Sequence, residues 1–294
     1  MERNFDRSAE DLGNVVALEH VNVTVPDQQL ATLFYNTGLG LTRDPYIMTG
    51  LENMWMNVGR SQFHLPTQKT PQVLRGHTGL VLPERAALLR RLAMVKERLA
   101  HTRFKVTEHE AYVEAICPWG NRIRCHAPDE KRFGRIQLGM PYVEFEVPTG
   151  VATGIAEFYQ RVLKTSATVE NDAAGRYARV MVGKEQHLHF RETDRFSTDY
   201  DGHHIQIYVT DFSGPHAWLL KKGLVTEESD QYQYRFKDIV EPDSGKVLFT
   251  IEHEIRSMTH PLYARPLVNR NPTQTNRNYA PGHDAANWGM EHAG

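Results

Sequence analysis

Four strand-like runs with one shared pattern recur along the chain at intervals of about 60 residues. Each run opens with a polar residue six positions before a turn, at His20, His77, Tyr142 and His204. The residues that follow alternate between apolar and polar, which is typical of a half-buried strand. The repeat therefore predicts supersecondary units that pack on one another, with a metal-binding residue type at the same register in three of the four.

Each run is followed by a helix and then by about three shorter strands. The predicted helices show apolar residues at helical spacing within residues 27–35, 83–99, 155–162 and 212–220. The repeated units have boundaries near residues 15–66, 73–128, 138–192 and 200–256. The pattern predicts an α+β protein of four βαβββ modules, preceded by a polar arm, residues 1–14, and followed by an extended tail, residues 257–294.

The composition favours a small-molecule partner. Lys and Arg number 34 against 36 Asp and Glu, so no global field attracts nucleic acid or an anionic membrane. The two cysteines, Cys117 and Cys125, are too few for a disulfide framework, and no apolar stretch approaches the roughly 20 residues that span a bilayer. We therefore expect a cytoplasmic protein that contacts neither membrane nor nucleic acid. The tail either wraps the body or a neighbouring subunit of a homo-oligomer, or is disordered beyond about Tyr279.

The phrases LEHVNVTVPD, FYNTGLGL and GRSQFHLP in the first unit resemble the vicinal oxygen chelate superfamily, which includes glyoxalases, bleomycin-resistance proteins and extradiol dioxygenases. The resemblance covers about residues 15–256. It implies that paired modules form barrel-like domains, each cupping one site with metal ligands on the first and last strands of modules. By likeness to the extradiol enzymes, it implies an N-terminal pair at residues 15–132 and a C-terminal pair, carrying the metal site, at residues 133–256.

The same resemblance implies a ligand set in the C-terminal pair. His204 lies on the first strand of the fourth module, and Glu252 lies on the last strand, with Glu254 as its rival. His187 is the first choice for a second imidazole because it aligns with Gln62, the position of a glyoxalase ligand, and His189 is the reserve. Two imidazoles and one carboxylate form a facial triad for Fe(II) or Mn(II), with open positions for a chelating substrate and dioxygen.

The N-terminal pair is a weaker candidate for a metal site. The resemblance groups His20, Gln62 and His77 there, but Arg124 occupies the position where the family usually has a glutamate ligand. A guanidinium cannot ligate a divalent cation. Whether this pair binds a metal therefore stays open.

The function implied is a metal-dependent dioxygenase that cleaves a catechol-like substrate with vicinal oxygens. Tyr142 would be a weak ligand, a proton donor or a pocket wall, while Tyr208 would contact the substrate or support a ligand. With Mn(II), Zn(II) or Ni(II), the same site would suit a redox-neutral isomerase, lyase or transferase. A metal-free small-molecule binding protein is the third alternative.

Overall fold

The four repeated modules are present in the computed structural model, which describes residues 6–44, 52–197 and 199–264. The first comprises β1 (Val15–Asn22), α1 (Gln28–Ala31), β2 (Thr42–Arg43), β3 (Asn53–Val58) and β4 (Ser61–Pro66). The second comprises β5 (Gly76–Val81), α2 (Arg85–Leu99), β6 (Lys105–Glu108), β7 (Val113–Ile116) and β8 (Arg122–His126). A short helix, α3 (Glu130–Phe133), leads to the third module.

The second half of the chain repeats this order. The third module comprises β9 (Gly139–Val147), α4 (Ala152–Arg161), β10 (Ala167–Asp172), β11 (Gly175–Gly183) and β12 (Gln186–Glu192). The fourth comprises β13 (His204–Val209), α5 (Ser213–Lys221), β14 (Val225–Asp230), β15 (Gln233–Val240) and β16 (Val247–Ser257). The predicted α+β class and its βαβββ modules are confirmed.

The modules pair differently from the order that the sequence resemblance implied. Within the described ranges, the first and fourth modules form one eight-stranded sheet, sheet I, ordered β14-β15-β16-β13-β1-β4-β3-β2. The second and third form sheet II, ordered β10-β11-β12-β9-β5-β8-β7-β6. The proposed division into residues 15–132 and 133–256 therefore does not match the sheets. Equivalent modules present equivalent first-strand edges, so the pattern within a module does not determine which module it joins.

The helices follow from local capping and periodicity. Asp27 accepts hydrogen bonds from the backbone N–H groups of residues 29 and 30 and begins α1, which continues into a π-helical turn over Thr32–Gly38. Leu92 and Val95 on the buried stripe of α2 pack against Gly38 at the end of that turn. Helix α4 contacts strands of both sheets, so it packs between sheet I and sheet II.

One side chain of sheet II makes hydrogen bonds to sheet I. The amide Nε2 of Gln186 at the start of β12 donates to the carbonyls of Leu18 (3.1 Å) and Met140 (3.1 Å) and to Ser61 Oγ (3.0 Å). Its Oε1 accepts from the backbone N–H of Leu18 at 3.1 Å. Gln186 therefore fixes β1 and β4 of sheet I against β9 and β12 of sheet II.

A buried histidine connects the third and fourth modules. The side chain of His253 on β16 is fully buried, its Nδ1 donates to the Ile251 carbonyl (2.8 Å), and its Nε2 accepts from the Tyr159 hydroxyl (2.6 Å). The bond from Tyr159 requires the neutral ring, because a protonated Nε2 has no lone pair to accept a hydrogen bond. Burial lowers the pKa of His253 from 6.5 to about 4, although the bond to Ile251 acts in the opposite direction.

We expect acid to destabilise the protein through this residue. Between pH 6.5 and pH 4 the unfolded chain binds a proton that the folded chain does not, so the contribution of His253 is complete above pH 6.5 and is lost as the pH falls towards 4. The loss is about 3 kcal/mol. Urea unfolding across this range should show a shallower pH dependence in His253→Gln than in the exposed control His101→Gln. Equal pH dependence in both variants would contradict this account.

The chain ends were predicted as an arm and a tail. The described part of the arm contains a 3₁₀ turn at Ser8–Glu10, and residues 258–264 follow β16 as turns. The remainder of the predicted tail, residues 265–294, lies outside the described residues, as do residues 1–5. No helix within the described residues is long and apolar enough to cross a membrane.

Candidate metal centre

Strand alternation and strand pairing bring three histidines together on one face of sheet I. On β1, Asn22 lies opposite His64 of the parallel strand β4 and opposite His204 of the antiparallel strand β13. His20 is two residues from Asn22 and therefore points to the same face. The intervening Val21 points to the other face and is buried in the core. The pairing of the first and fourth modules thus assembles the cluster.

The three imidazoles are close enough to bind one ion. One ring nitrogen from each of His20, His64 and His204 lies within 4.8 Å of the others. The ring centroid of His20 is 5.7 Å from that of His64 and 5.7 Å from that of His204. His20 is fully buried and His204 is buried, so these nitrogens are withdrawn from bulk water. Small side-chain adjustments would bring them within the roughly 2 Å ligand distance of a divalent transition metal.

Each histidine has a partner that can orient its ring. His20 Nδ1 lies 3.3 Å from Glu19 Oε2, and His64 Nε2 donates to Asn53 Oδ1 at 2.6 Å. His204 Nδ1 lies 3.5 Å from Glu252 Oε1. An acceptor at one ring nitrogen leaves the other nitrogen with a lone pair, which is the arrangement common to metal-bound histidines.

Two buried nitrogens of the cluster are without hydrogen-bond partners. Among the described residues, Nε2 of His20 makes no hydrogen bond, and Nε2 of His204 makes none but lies 3.5 Å from Glu254 Oε2. Burial lowers the pKa of His20 and, further, that of His64, so both rings are neutral and able to ligate. A buried nitrogen lone pair without a donor is costly, and a bound cation would satisfy it. The residues present therefore fit a metal ion.

Glu254 is a buried carboxylate beside this cluster. Its Oε2 lies 3.5 Å from His204 Nε2, and the carboxylate forms ion pairs with Arg235 (2.5 Å) and Arg256 (2.6 Å). Burial by itself would raise the pKa of Glu254, but the contact with His204 and the charge of Arg256 hold it well below its usual value. Glu254 is therefore an anion that can add a fourth ligand.

The ligand set predicted from the sequence is not brought together. His204 and Glu252 are neighbours on β13 and β16 in sheet I, but His187 is on β12 in sheet II, beside Tyr142 of β9. The prediction combined these residues because it paired the third module with the fourth. With that pairing corrected, the imidazoles that join His204 come from the first module, His20 and His64.

The other predicted site residues are divided between the two sheets. Tyr208 of sheet I donates to Glu19 Oε1 at 3.1 Å, so it supports the carboxylate that contacts His20. Tyr142 and His189 stack in sheet II with ring centroids 5.1 Å apart, and the Tyr142 hydroxyl bonds to His126 Nε2 at 3.0 Å. The N-terminal group is also divided, since Gln62 lies beside His20 in sheet I while His77 lies in sheet II.

His64 is a ligand candidate that the sequence did not predict, although Gln62 on the same strand face was considered as one. The repeat pattern placed His20 and His204 at equivalent positions, and alternation placed Gln62 and His64 on one strand face. Gln62 was preferred because it aligns with a ligand position of the family. In the structure, Gln62 Nε2 donates to Asp44 (2.6 Å) and to Asn57, so its amide has protein partners while His64 faces the cluster.

Comparison with solved structures supports the fold at low sequence identity. A protein from Bacillus subtilis, provisionally described as a dioxygenase, aligns over 90% of this chain and 89% of its own with 14% identity and a TM-score of 0.56. Glyoxalase I from Zea mays aligns over 82% of this chain and 92% of its own with 13% identity and a TM-score of 0.55. No family model and no curated protein sequence matches. In its repeated modules, the chain has the fold of these solved structures.

Proposed function

We propose that this protein is a metal-dependent dioxygenase whose ion is held by His20, His64 and His204. The observation that carries the proposal is the convergence of three imidazoles, two buried and one half-buried, with a ring nitrogen of His20 that makes no hydrogen bond within the described residues. The substrate class is a catechol-like molecule, or a related small molecule, with two adjacent oxygens. The likeness of the fold to the Bacillus subtilis protein adds support.

The donor set favours a transition metal. Imidazole nitrogens suit divalent iron, zinc and nickel, whereas magnesium and calcium prefer oxygen ligands. We propose Fe(II) as the ion of the dioxygenase. When bound, such an ion lowers the pKa of a coordinated hydroxyl, positions two neighbouring substrate oxygens and, as iron, supports chemistry with dioxygen.

The side chains around this ion hold the three histidine rings in position. Glu19, Asn53 and Glu252 fix the ring orientations of the three histidines, and Trp55 stacks on His64 with centroids 3.8 Å apart. Such supporting contacts keep the ligand nitrogens pointed at one place. They also limit reorganisation when the substrate binds.

Glu252 is the group that we assign to accept a substrate proton. Its side chain is 13% exposed, compared with 3% for Glu254, so it is the more accessible carboxylate beside the cluster. Arg235 (2.8 Å) and Lys237 (3.6 Å) hold its two oxygens in place. The contact with His204 puts it within reach of a substrate that also reaches the ion.

A redox-neutral isomerase, lyase or transferase is the second candidate. The observation that favours it is the position of Glu254 against His204, because a fourth protein ligand would leave fewer open positions for a chelating substrate together with dioxygen. Glu254 would have to exchange part of its pairing with Arg235 or Arg256 for the ion. The similarity in fold to Zea mays glyoxalase I is consistent with this candidate.

The test separates the candidates without knowledge of the substrate. Protein purified without chelators is analysed for metals, and the metal-free protein is then reconstituted anaerobically with Fe(II). Nitric oxide serves as a dioxygen analogue and catechol as a substrate probe, with EPR and oxygen uptake as readouts. We expect stoichiometric metal, an EPR signal with nitric oxide that catechol changes, and no such signal in His20→Ala.

Two outcomes would contradict the dioxygenase. Stoichiometric zinc or nickel without any nitric oxide signal from the iron form would favour the redox-neutral candidate. Absence of bound metal under all loading conditions would refute both candidates and leave a metal-free binding protein.

A further inference from the structure

A second concavity, on sheet II, differs in chemistry from the metal centre. It encloses a cavity of about 340 Å³, whose lining includes His77, Arg124, Tyr142, Tyr177, Arg179 and His187. This volume is at the small end of the range for ligand pockets, about 300–1,000 Å³. Nothing in the proposed reaction at sheet I uses these residues.

The strand register shows which residue of sheet II replaces a proposed ligand of sheet I. In sheet I, the residue two positions after His20 lies opposite His64. In sheet II, the residue two positions after His77 lies opposite Arg124. Arg124 therefore occupies the position of His64. Since a guanidinium remains charged and has no lone pair to donate, it repels a cation and attracts an anion.

The guanidinium groups of Arg124 and Arg179 retain donor capacity. Within the described residues, Arg124 has one ion pair, from Nε to Glu114 at 3.5 Å, and Arg179 has contacts at 3.8 Å with Glu170 and at 3.5 Å with His187 Nδ1. Five N–H donors are available on each group, so most are not used by the protein. These donors can bind an external oxyanion.

Arg191, in the same cavity, contrasts with Arg124 and Arg179 because both of its terminal nitrogens bond to carboxylates. It forms two short bonds with Asp172, at 2.7 and 2.9 Å, and a third with Glu144 at 3.2 Å. Asp172 and Glu144 thus share Arg191 as a partner, and the third lining acid, Glu185, accepts from a backbone N–H at 2.9 Å. The acids of the cavity thus have partners of their own.

Two imidazoles of the cavity, His77 and His187, are neutral, and one ring nitrogen of His77 makes no hydrogen bond within the described residues. His77 is 2% exposed, and its Nε2 has no hydrogen-bond partner among the described residues. Burial lowers the pKa of His77 to about 3, with Glu144 opposing and Arg124 reinforcing the shift, and burial followed by the charge of Arg179 lowers that of His187 to about 3. Neither His77 nor His187 therefore adds positive charge to that of the lining arginines.

We propose that the cavity of sheet II binds a small planar carboxylate, without a metal, through the free guanidinium donors of Arg124 and Arg179. Planar guanidinium groups match carboxylates with paired hydrogen bonds. The aromatic rings of Tyr142 and Tyr177 in the lining favour a flat ligand body. This site is independent of the reaction proposed for sheet I.

Benzoate is the probe for the test, measured by isothermal titration calorimetry at low ionic strength with the full chain. We expect one saturable site in the wild type and binding weaker by about tenfold or more in Arg124→Gln and in Arg179→Gln. His204→Ala, which alters only sheet I, should bind benzoate as the wild type does. Circular dichroism confirms that each variant is folded.

Three results would overturn the proposal. The first is absence of saturable benzoate binding, and the second is binding that both arginine variants retain. The third is tighter binding of inorganic phosphate than of benzoate in a parallel titration, since that would assign the guanidinium donors to a different class of anion.

Discussion

His204→Ala is expected to reduce the bound metal from about one ion per chain to background and to abolish turnover. Its Nε2 lacks a hydrogen-bond partner within the described residues, and it lies in the cluster with His20 and His64. Loss of one of three imidazoles removes a coordinate bond and leaves a gap in a buried site. We expect metal affinity to fall by more than the 10–100-fold typical of lost supporting residues. Elemental analysis and equilibrium dialysis with Fe(II) measure the effect.

His187→Ala is the matched control, because it removes a half-buried imidazole from the equivalent region of sheet II. It should keep its metal, whereas His20→Ala should lose it as His204→Ala does. The reverse outcome, with metal lost in His187→Ala and kept in His20→Ala, would move the site to the ligand set that the sequence alone suggested. Near-UV circular dichroism distinguishes loss of metal from loss of structure.

Gly76→Ala is expected to be the most destabilising single-methyl change in the second and third modules, which form sheet II. A Cβ at position 76 would lie 1.8 Å from the carbonyl oxygen of Glu144 on the paired strand β9, and φ there is +153°. Neither the backbone at position 76 nor the Glu144 carbonyl can move without opening the β5–β9 ladder, which joins the second and third modules. Overpacking and backbone strain together cost about 3 kcal/mol or more. Urea unfolding measures the change.

Gly150→Ala controls for backbone conformation alone. Gly150 also has a positive φ, +89°, but a Cβ added there meets nothing within 4 Å. Its cost should be about 1 kcal/mol, from the left-handed conformation. Equal destabilisation of the two variants would show that the close contact at Gly76 is not the cause.

The sequence was sufficient for the modules because their pattern is local. Alternation in the strands and helical spacing in α2 depend on neighbouring residues, and both are read directly from the chain. Alternation also placed Glu252 and Glu254 on one face of β16, where His204 contacts both carboxylates. These features are predicted from the chain without knowing which strands pair.

The composition of the site could not be predicted in the same way. His20 and His204 stood out at equivalent positions, but their proximity depends on the antiparallel pairing of β1 with β13. No local pattern distinguishes this pairing from that of neighbouring modules, because the competing edges are alike. His64 enters only through the register of β4 beside β1, and His187 is excluded only by the sheet order.

The pairing of the first module with the fourth has a consequence for biosynthesis. β1 leaves the ribosome early, but its partner β13 emerges only after both intervening modules have been made. Until then, β1 exposes an unpaired edge, and pairing over such a sequence distance is slow because a long loop must close. Nascent chains should therefore complete sheet II first and acquire metal affinity last, which makes the period before β13 emerges the time of greatest exposure to aggregation.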